Sequence, residues 1–189
     1  MNKNKILIIG DSFAADSAGW PSMLNYEFEN RAQRGVGEYK IYKQLKNSTD
    51  FKIIVICHSS PWRIHTRNHP VHQSDPQRSQ NDFLLSDVEY HSKKNKEMKG
   101  ILHHIENYID FNYQEDIYNL LLKKMFDLKN TLHITFHDKE DTKNIPYNFN
   151  ETWKKFPGNI NHLNEEGNLK ISQEIKKLLE MKELNESRS

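Results

Sequence analysis

Two short, unbroken apolar runs constrain the fold of this chain more than any other feature. Residues 5–9 (KILII) and 51–57 (FKIIVIC) are too short for typical helices and rich in β-branched residues. Unbroken rather than alternating apolarity marks strands covered on both faces, as in a parallel sheet. The first run closes at Gly10 and turns polar at once; the second does the same at "HSS". "TLHITFHD" reads as a third strand, and Phe28 opens a short one ending near Asn30. Between the strands lie segments of helical character. Pro21 stands near the start of a short helix, and Tyr39, Tyr42 and Leu45 follow helical spacing. "GILHHIENYIDF" and "QEDIYNLLLKKMFDLKN" are periodic, with Phe111, Tyr118, Leu121 and Leu122 expected in the core. A closing amphipathic helix is expected to turn Leu169, Ile171, Ile175 and Leu178 or Leu179 inward. Strands alternating with helices give a parallel sheet with both faces covered. Ligands of such sheets bind beyond the carboxyl ends of the strands, so the polar residues there are the functional candidates.

At 189 residues the chain fits one domain that can bury a core without disulfide or metal. That domain is expected over 1–184, with a long loop or lid insert at about 61–97 and a frayed tail at 185–189. The insert is rich in Pro, His, Ser, Asn and Arg and poor in apolar residues. Cys57 is the one cysteine, so no internal disulfide is available. Lys plus Arg number 27 against 26 for Asp plus Glu, and a net charge of +1 draws the chain to neither nucleic acid nor an anionic membrane. The first apolar run is shorter than the roughly 7–15 residues of a signal peptide core. No stretch approaches the roughly 20 apolar residues of a membrane span. A soluble, cytoplasmic protein is expected.

Asp11-Ser12 sits where the first strand ends. The pair reads either as a nucleophile on its loop or as a helix N-cap. "GDSFAADSAG" has neither a Walker sequence nor the G-x-G-x-x-G spacing, which excludes the common phosphate-loop readings. His162, in "PGNINHLNEEGNLKI", lies just before the last helix, from which a base can meet the first strand's tip and activate a serine.

Three blocks, "IIGDSFAAD", "NRAQRGVG" and "NHLNEEGNLKIS", taken in this order and spacing, resemble the SGNH, or GDSL-type, hydrolase family. The resemblance implies a flavodoxin-like three-layer α/β/α sandwich and a serine esterase of O-acyl substrates, such as O-acetyl carbohydrate, that needs no cofactor. It makes Ser12 the nucleophile and His162 the general base. Gly35 and Ser12 become backbone oxyanion donors, and Asp11 is grouped with the binding residues. Two positions depart from the family pattern. Asn159 stands where the family has an Asp; it can orient an imidazole but not offset an imidazolium charge. Asp138 or Asp141 can serve instead, or the site runs as a Ser-His dyad. Ser59 stands where the family has an oxyanion Asn, with Ser59 or His58 as donor set against a turn role beside Pro61. These departures leave a second reading open, a catalytically inactive module of the same fold that binds a glycan or a protein. A third is acyl transfer to an acceptor other than water.

There are ten histidines, and "RIHTRNHPVH" brings His65, His69 and His72 close in sequence. A zinc site needs three or four ligands, and Pro70 argues against a helix presenting 65 and 69 together. A solvated or substrate-facing loop without metal is the expectation. His103, His104, His133 and His137 read as surface or strand residues. Trp62, Arg63, Arg67 and Arg78 are candidates for stacking on sugar rings or gripping an anion, set against a mobile polar insert.

Overall fold

The computed structural model describes residues 5–75, 78–159 and 162–186. Its strands are β1 (Ile6–Gly10), β2 (Phe28–Asn30), β3 (Ile53–His58), β4 (Arg63–Ile64), β5 (Phe83–Leu84), β6 (Thr131–Thr135) and β7 (Tyr147–Asn148). Its helices are α1 (Glu38–Gln44), α2 (Leu85–Ser92), α3 (Lys96–Tyr108), α4 (Phe111–Phe126), α5 (Asn150–Lys155) and α6 (Glu165–Glu186), with a 3-10 turn at Trp20–Met23.

Five strands form one parallel sheet in the order β2-β1-β3-β6-β7, which is the flavodoxin-like order. β1 and β3 are paired from Ile6↔Ile53 to Gly10↔Cys57. The unbroken apolar runs follow from what lies on each face. Ile6, Ile8, Ile53, Val55 and Cys57 meet Trp20 and the α6 residues Ile171, Ile175 and Leu179. Leu7, Ile9, Ile54 and Ile56 meet Ile41 of α1 and Tyr118, Leu122 and Met125 of α4. Each such side chain contributes ~1.5–3 kcal/mol on burial, so a strand covered on both sides tolerates no polar alternation. The result is a three-layer α/β/α sandwich whose strand order reverses between β1 and β3, the place where such sheets open a crevice.

Leu169 differs from its expected inward position and is 48% exposed. It lies two residues, about 200° of helix rotation, from buried Ile171. Tyr39 is likewise largely exposed, and Ile41 takes the buried position in α1. Residues 61–97, expected to lack regular structure, contain the β4–β5 antiparallel pair, α2 and the start of α3. They share a satellite core in which Val88, Met98 and Ile105 pack with Ile64, Val71 and Phe83. Pieces of two to eight residues leave too little periodicity to read.

Asp82 fixes this insert to the main domain. Its Oδ2 accepts from Gly37 N at 2.7 Å; its Oδ1 lies 2.7 Å from Lys40 Nζ and accepts from Thr66 N at 2.9 Å. The Asp82 N–H in turn donates to Gly35 O at 2.8 Å. Among the described residues no helix is long and apolar enough to cross a membrane.

Candidate functional site

The loop that carries Ser12 is built against β3. Gly10 has φ 152°, and a Cβ there would come within 2.6 Å of Cys57 Cβ and O, so β1 can end only in glycine at this distance. Gln44 clamps the same residue, accepting from Gly10 N at 2.8 Å and donating to Gly10 O at 3.2 Å. Asp11 turns inward and is fully buried. Its Oδ1 accepts from Phe13 N at 3.0 Å and faces Cys57 Sγ at 3.8 Å, and its Oδ2 lies 2.9 Å from His137 Nε2. Burial next to Asp11 pushes the Cys57 thiol well above its ordinary pKa, which keeps it protonated. The backbone after β1 is a turn rather than a helix start, so Ser12 caps no helix. Trp20 Nε1 donates to Phe13 O at 2.8 Å and ties the far side of the loop to the core.

His162 is held by a second set of backbone contacts. Gly158 N donates to His162 O at 2.6 Å, His162 N to Asn159 O at 3.3 Å, and Asn164 N to Phe156 O at 3.0 Å. Asn164 Oδ1 accepts from Gly167 N in the first turn of α6, at 2.9 Å. Asn168 spans the two ends of the chain: its Oδ1 accepts from Trp20 N at 2.8 Å while its Nδ2 donates to Leu163 O at 3.2 Å. A Cβ on Gly167 would come within 2.7 Å of Phe156 Cβ. The "NHLNEEGN" block thus joins the His162 loop to the Ser12 loop. The imidazole lies 5.5 Å from the Phe13 ring. Burial lowers its pKa; Asp11 and Asp16 oppose that shift and Arg34 adds to it, so the neutral, proton-accepting form is favoured.

Ser12 and His162 line one cavity of about 910 Å3, together with Asp16, Arg34, Arg78 and Asn81. Among the described residues no hydrogen bond joins the serine and the histidine, and neither Ser12 N nor Gly35 N donates one. Asn159 lines the cavity but is exposed, and it meets His162 through its backbone carbonyl. Gly35 is not among the lining residues; it has φ +68°, and a Cβ there would meet the Asn81 amide at 2.5 Å. Asp11 is buried and does not line the cavity. Ser59 is not brought to the cavity. It is fully buried, its N donates to Glu38 Oε2 at 3.2 Å, its O accepts from Tyr118 at 3.2 Å, and its Oγ has no hydrogen-bond partner among the described residues. His58 is also buried, 2.6 Å from Glu38 Oε1 and 2.8 Å from His133 Nδ1. Asp138 and Asp141 do not line the cavity, and Asp138 O accepts from Thr142 within its own loop.

Of the four stacking or anion-gripping candidates, Arg78 alone reaches this cavity. Trp62 meets Phe111 edge-on at 6.2 Å, and Arg63 pairs with Leu84 across β4–β5. His72 and His91 line the cavity, and His69 is buried beneath, stacked on His72 at 4.6 Å with its pKa lowered by burial to about 4. Among the described residues no group of three or more His, Cys, Asp or Glu is arranged to hold a metal. Sequence reasoning missed His137, Arg34 and Asn81. His137 follows the carboxyl end of β6, and Arg34 stands beside the Gly35 block, so position alone marks both. Asn81 carries no local signal; only the Asp82 contacts bring it to Gly35.

No family model matches the sequence, and no curated protein matches it. Among solved structures, a "putative lipolytic protein of G-D-S-L family from Desulfitobacterium hafniense DCB-2" aligns with 94% of this chain and 100% of its own, at 14% identity and a TM-score of 0.38.

Proposed function

We propose that the protein is an SGNH-like serine esterase acting on a small, polar O-acyl ester, with acetylated carbohydrate as the substrate class. The observation that carries this reading is that Ser12 and His162, from opposite ends of the chain, line one cavity beyond the tip of β1, and among the described residues neither side chain is hydrogen-bonded to another. Ser12 Oγ attacks the ester carbonyl while His162 takes its proton. The N–H of Ser12 donates to the developing oxyanion, a contribution worth about 3 kcal/mol in comparable sites. The carbonyl re-forms, the alcohol leaves with the proton from His162, and the acyl group stays on Ser12. His162 then takes a proton from water, whose oxygen attacks the acyl carbon; as the intermediate collapses His162 returns that proton to Ser12 Oγ, and the carboxylic acid departs from the regenerated serine. The lining residues favour a polar substrate: among the described residues Pro157 and Leu163 are the only ones with purely hydrocarbon side chains, set among acids, arginines, histidines and amides.

Ser12→Ala is expected to reduce hydrolysis of acetylated sugars and of aryl acetates by at least about 10^3-fold while the circular dichroism spectrum is unchanged. Retained activity in that variant contradicts the assignment. One observation favours the second reading, a binding module without turnover: no carboxylate is hydrogen-bonded to the His162 ring among the described residues. Ligand retention without any ester cleavage by the wild type would decide for it.

A further inference from the structure

A second hollow of about 420 Å3 lies beside the Ser12 cavity, and Arg34 belongs to both. Its other lining residues include Ser17, Gln33 and Gln80, a hydroxyl and two amides that suit sugar hydroxyls. Arg34 is exposed and, among the described residues, has neither an ion pair nor a hydrogen bond. Its charge nevertheless reaches the reacting centre, since it contributes to the lowered pKa of His162. Arg78 enters the Ser12 cavity from the insert, with its Nε 3.6 Å from half-buried Asp75, and its own side chain is exposed to solvent that screens the pair.

A planar guanidinium fork left unpaired at a cavity rim matches an oxyanion in two-point geometry. Two acids, Asp16 and Asp87, also line the Ser12 cavity. Asp16 is engaged, accepting from Ala18 N at 3.1 Å, and Asp87 sits in the first turn of α2. Their presence leaves room for one negative charge near the arginines and opposes a second, which selects a carboxylate over a phosphate dianion.

We infer that the substrate is an acidic saccharide: the acylated unit occupies the Ser12 cavity, a neighbouring unit occupies the second hollow, and Arg34, assisted by Arg78, reads a sugar carboxylate. This rests on the hydrolase reading only for the placement of the acyl group; recognition of the saccharide is tested without turnover.

The experiment is a calorimetric titration of the wild type with digalacturonate, with the neutral galactose disaccharide of the same linkage, and with inorganic phosphate. Digalacturonate is expected to bind at least tenfold tighter than the neutral disaccharide, with an affinity that falls as salt rises. Arg34→Gln is expected to reduce that preference at least fivefold and Arg78→Gln to reduce it less. Both side chains are exposed, and circular dichroism checks that each variant folds. Equal or absent binding of the two disaccharides, a preference unmoved by Arg34→Gln, or phosphate binding tighter than digalacturonate each overturns the inference. Loss of charge-dependent binding with an intact reactive serine sinks the saccharide assignment alone, and the converse result sinks the hydrolase reading alone.

Discussion

Asp11 brings a carboxylate into a fully buried position at the tip of β1, with Phe13 N, the Cys57 thiol and His137 around its two oxygens. The resemblance groups it with binding residues, but its contacts all face the interior and set the turn from which Ser12 projects. Asp11→Ala leaves the Phe13 N–H and one His137 nitrogen without an acceptor, and each such loss costs about 1–3 kcal/mol. Chemical denaturation is expected to show a loss of about 3 kcal/mol, and a loss below about 1 kcal/mol means that these contacts do not organise the loop. The residue scale also shows what the sequence carried. Ser12, His162 and Gly10 were legible because each stands at a strand or helix end marked by its neighbours. His137 was passed over although it also follows a strand end, because the "HITFH" alternation reads equally well as a strand and its surface.

The 61–97 insert is best understood as an element clasped to the sheet. Asp82 receives N–H groups from Gly37 and Thr66, faces Lys40 Nζ, and lies 3.2 Å from His65 Nδ1. Through its carboxylate on Gly37 and Lys40 and its backbone N–H on Gly35 O, this residue holds the 78–82 turn in place, and with it the part of the cavity lining that contains Arg78 and Asn81. Removing one side of a buried charge pair strands its partners, at about 3–5 kcal/mol. Asp82→Ala is therefore expected to destabilise the protein by about 3 kcal/mol and to raise amide exchange across residues 65–82 before exchange in β1 and β3 rises. Unchanged exchange in the insert contradicts the clasp. None of this was legible beforehand: the clasp is long-range, and a lone Asp in a polar stretch carries no periodic signal. The two strong strands and α6 were legible because burial on two faces, or along one stripe, writes itself into the sequence.

At the scale of the whole molecule, the flavodoxin-like order places the first strand and the last helix side by side, and this closes one site from the two ends of the chain. The same closed core buries histidines in their neutral form. Burial lowers His133 to about 3, with His58 and Lys182 adding to the shift, and burial likewise lowers His69 to about 4. Unfolded histidines titrate near 6.5. Between about pH 6.5 and 4 the unfolded chain therefore binds protons that the folded chain refuses, so stability falls as pH falls through that window and is flat in this respect above it. Each site adds a slope of up to about 1.4 kcal/mol per pH unit. Denaturation midpoints measured from pH 8 to pH 4 are expected to show this loss, and His133→Gln is expected to flatten it. An identical pH profile in the variant would contradict the assignment of the slope to His133.

The central claim is that Ser12 is activated by His162 across the cavity. Labelling with a fluorophosphonate probe, which forms a phosphonyl ester only with an activated hydroxyl, tests it directly on the wild type, Ser12→Ala and His162→Ala. Rapid labelling of the wild type, abolished by Ser12→Ala and slowed at least about 10^3-fold by His162→Ala, is the predicted result. A folded wild type that does not label, or labelling that persists in Ser12→Ala, would contradict it.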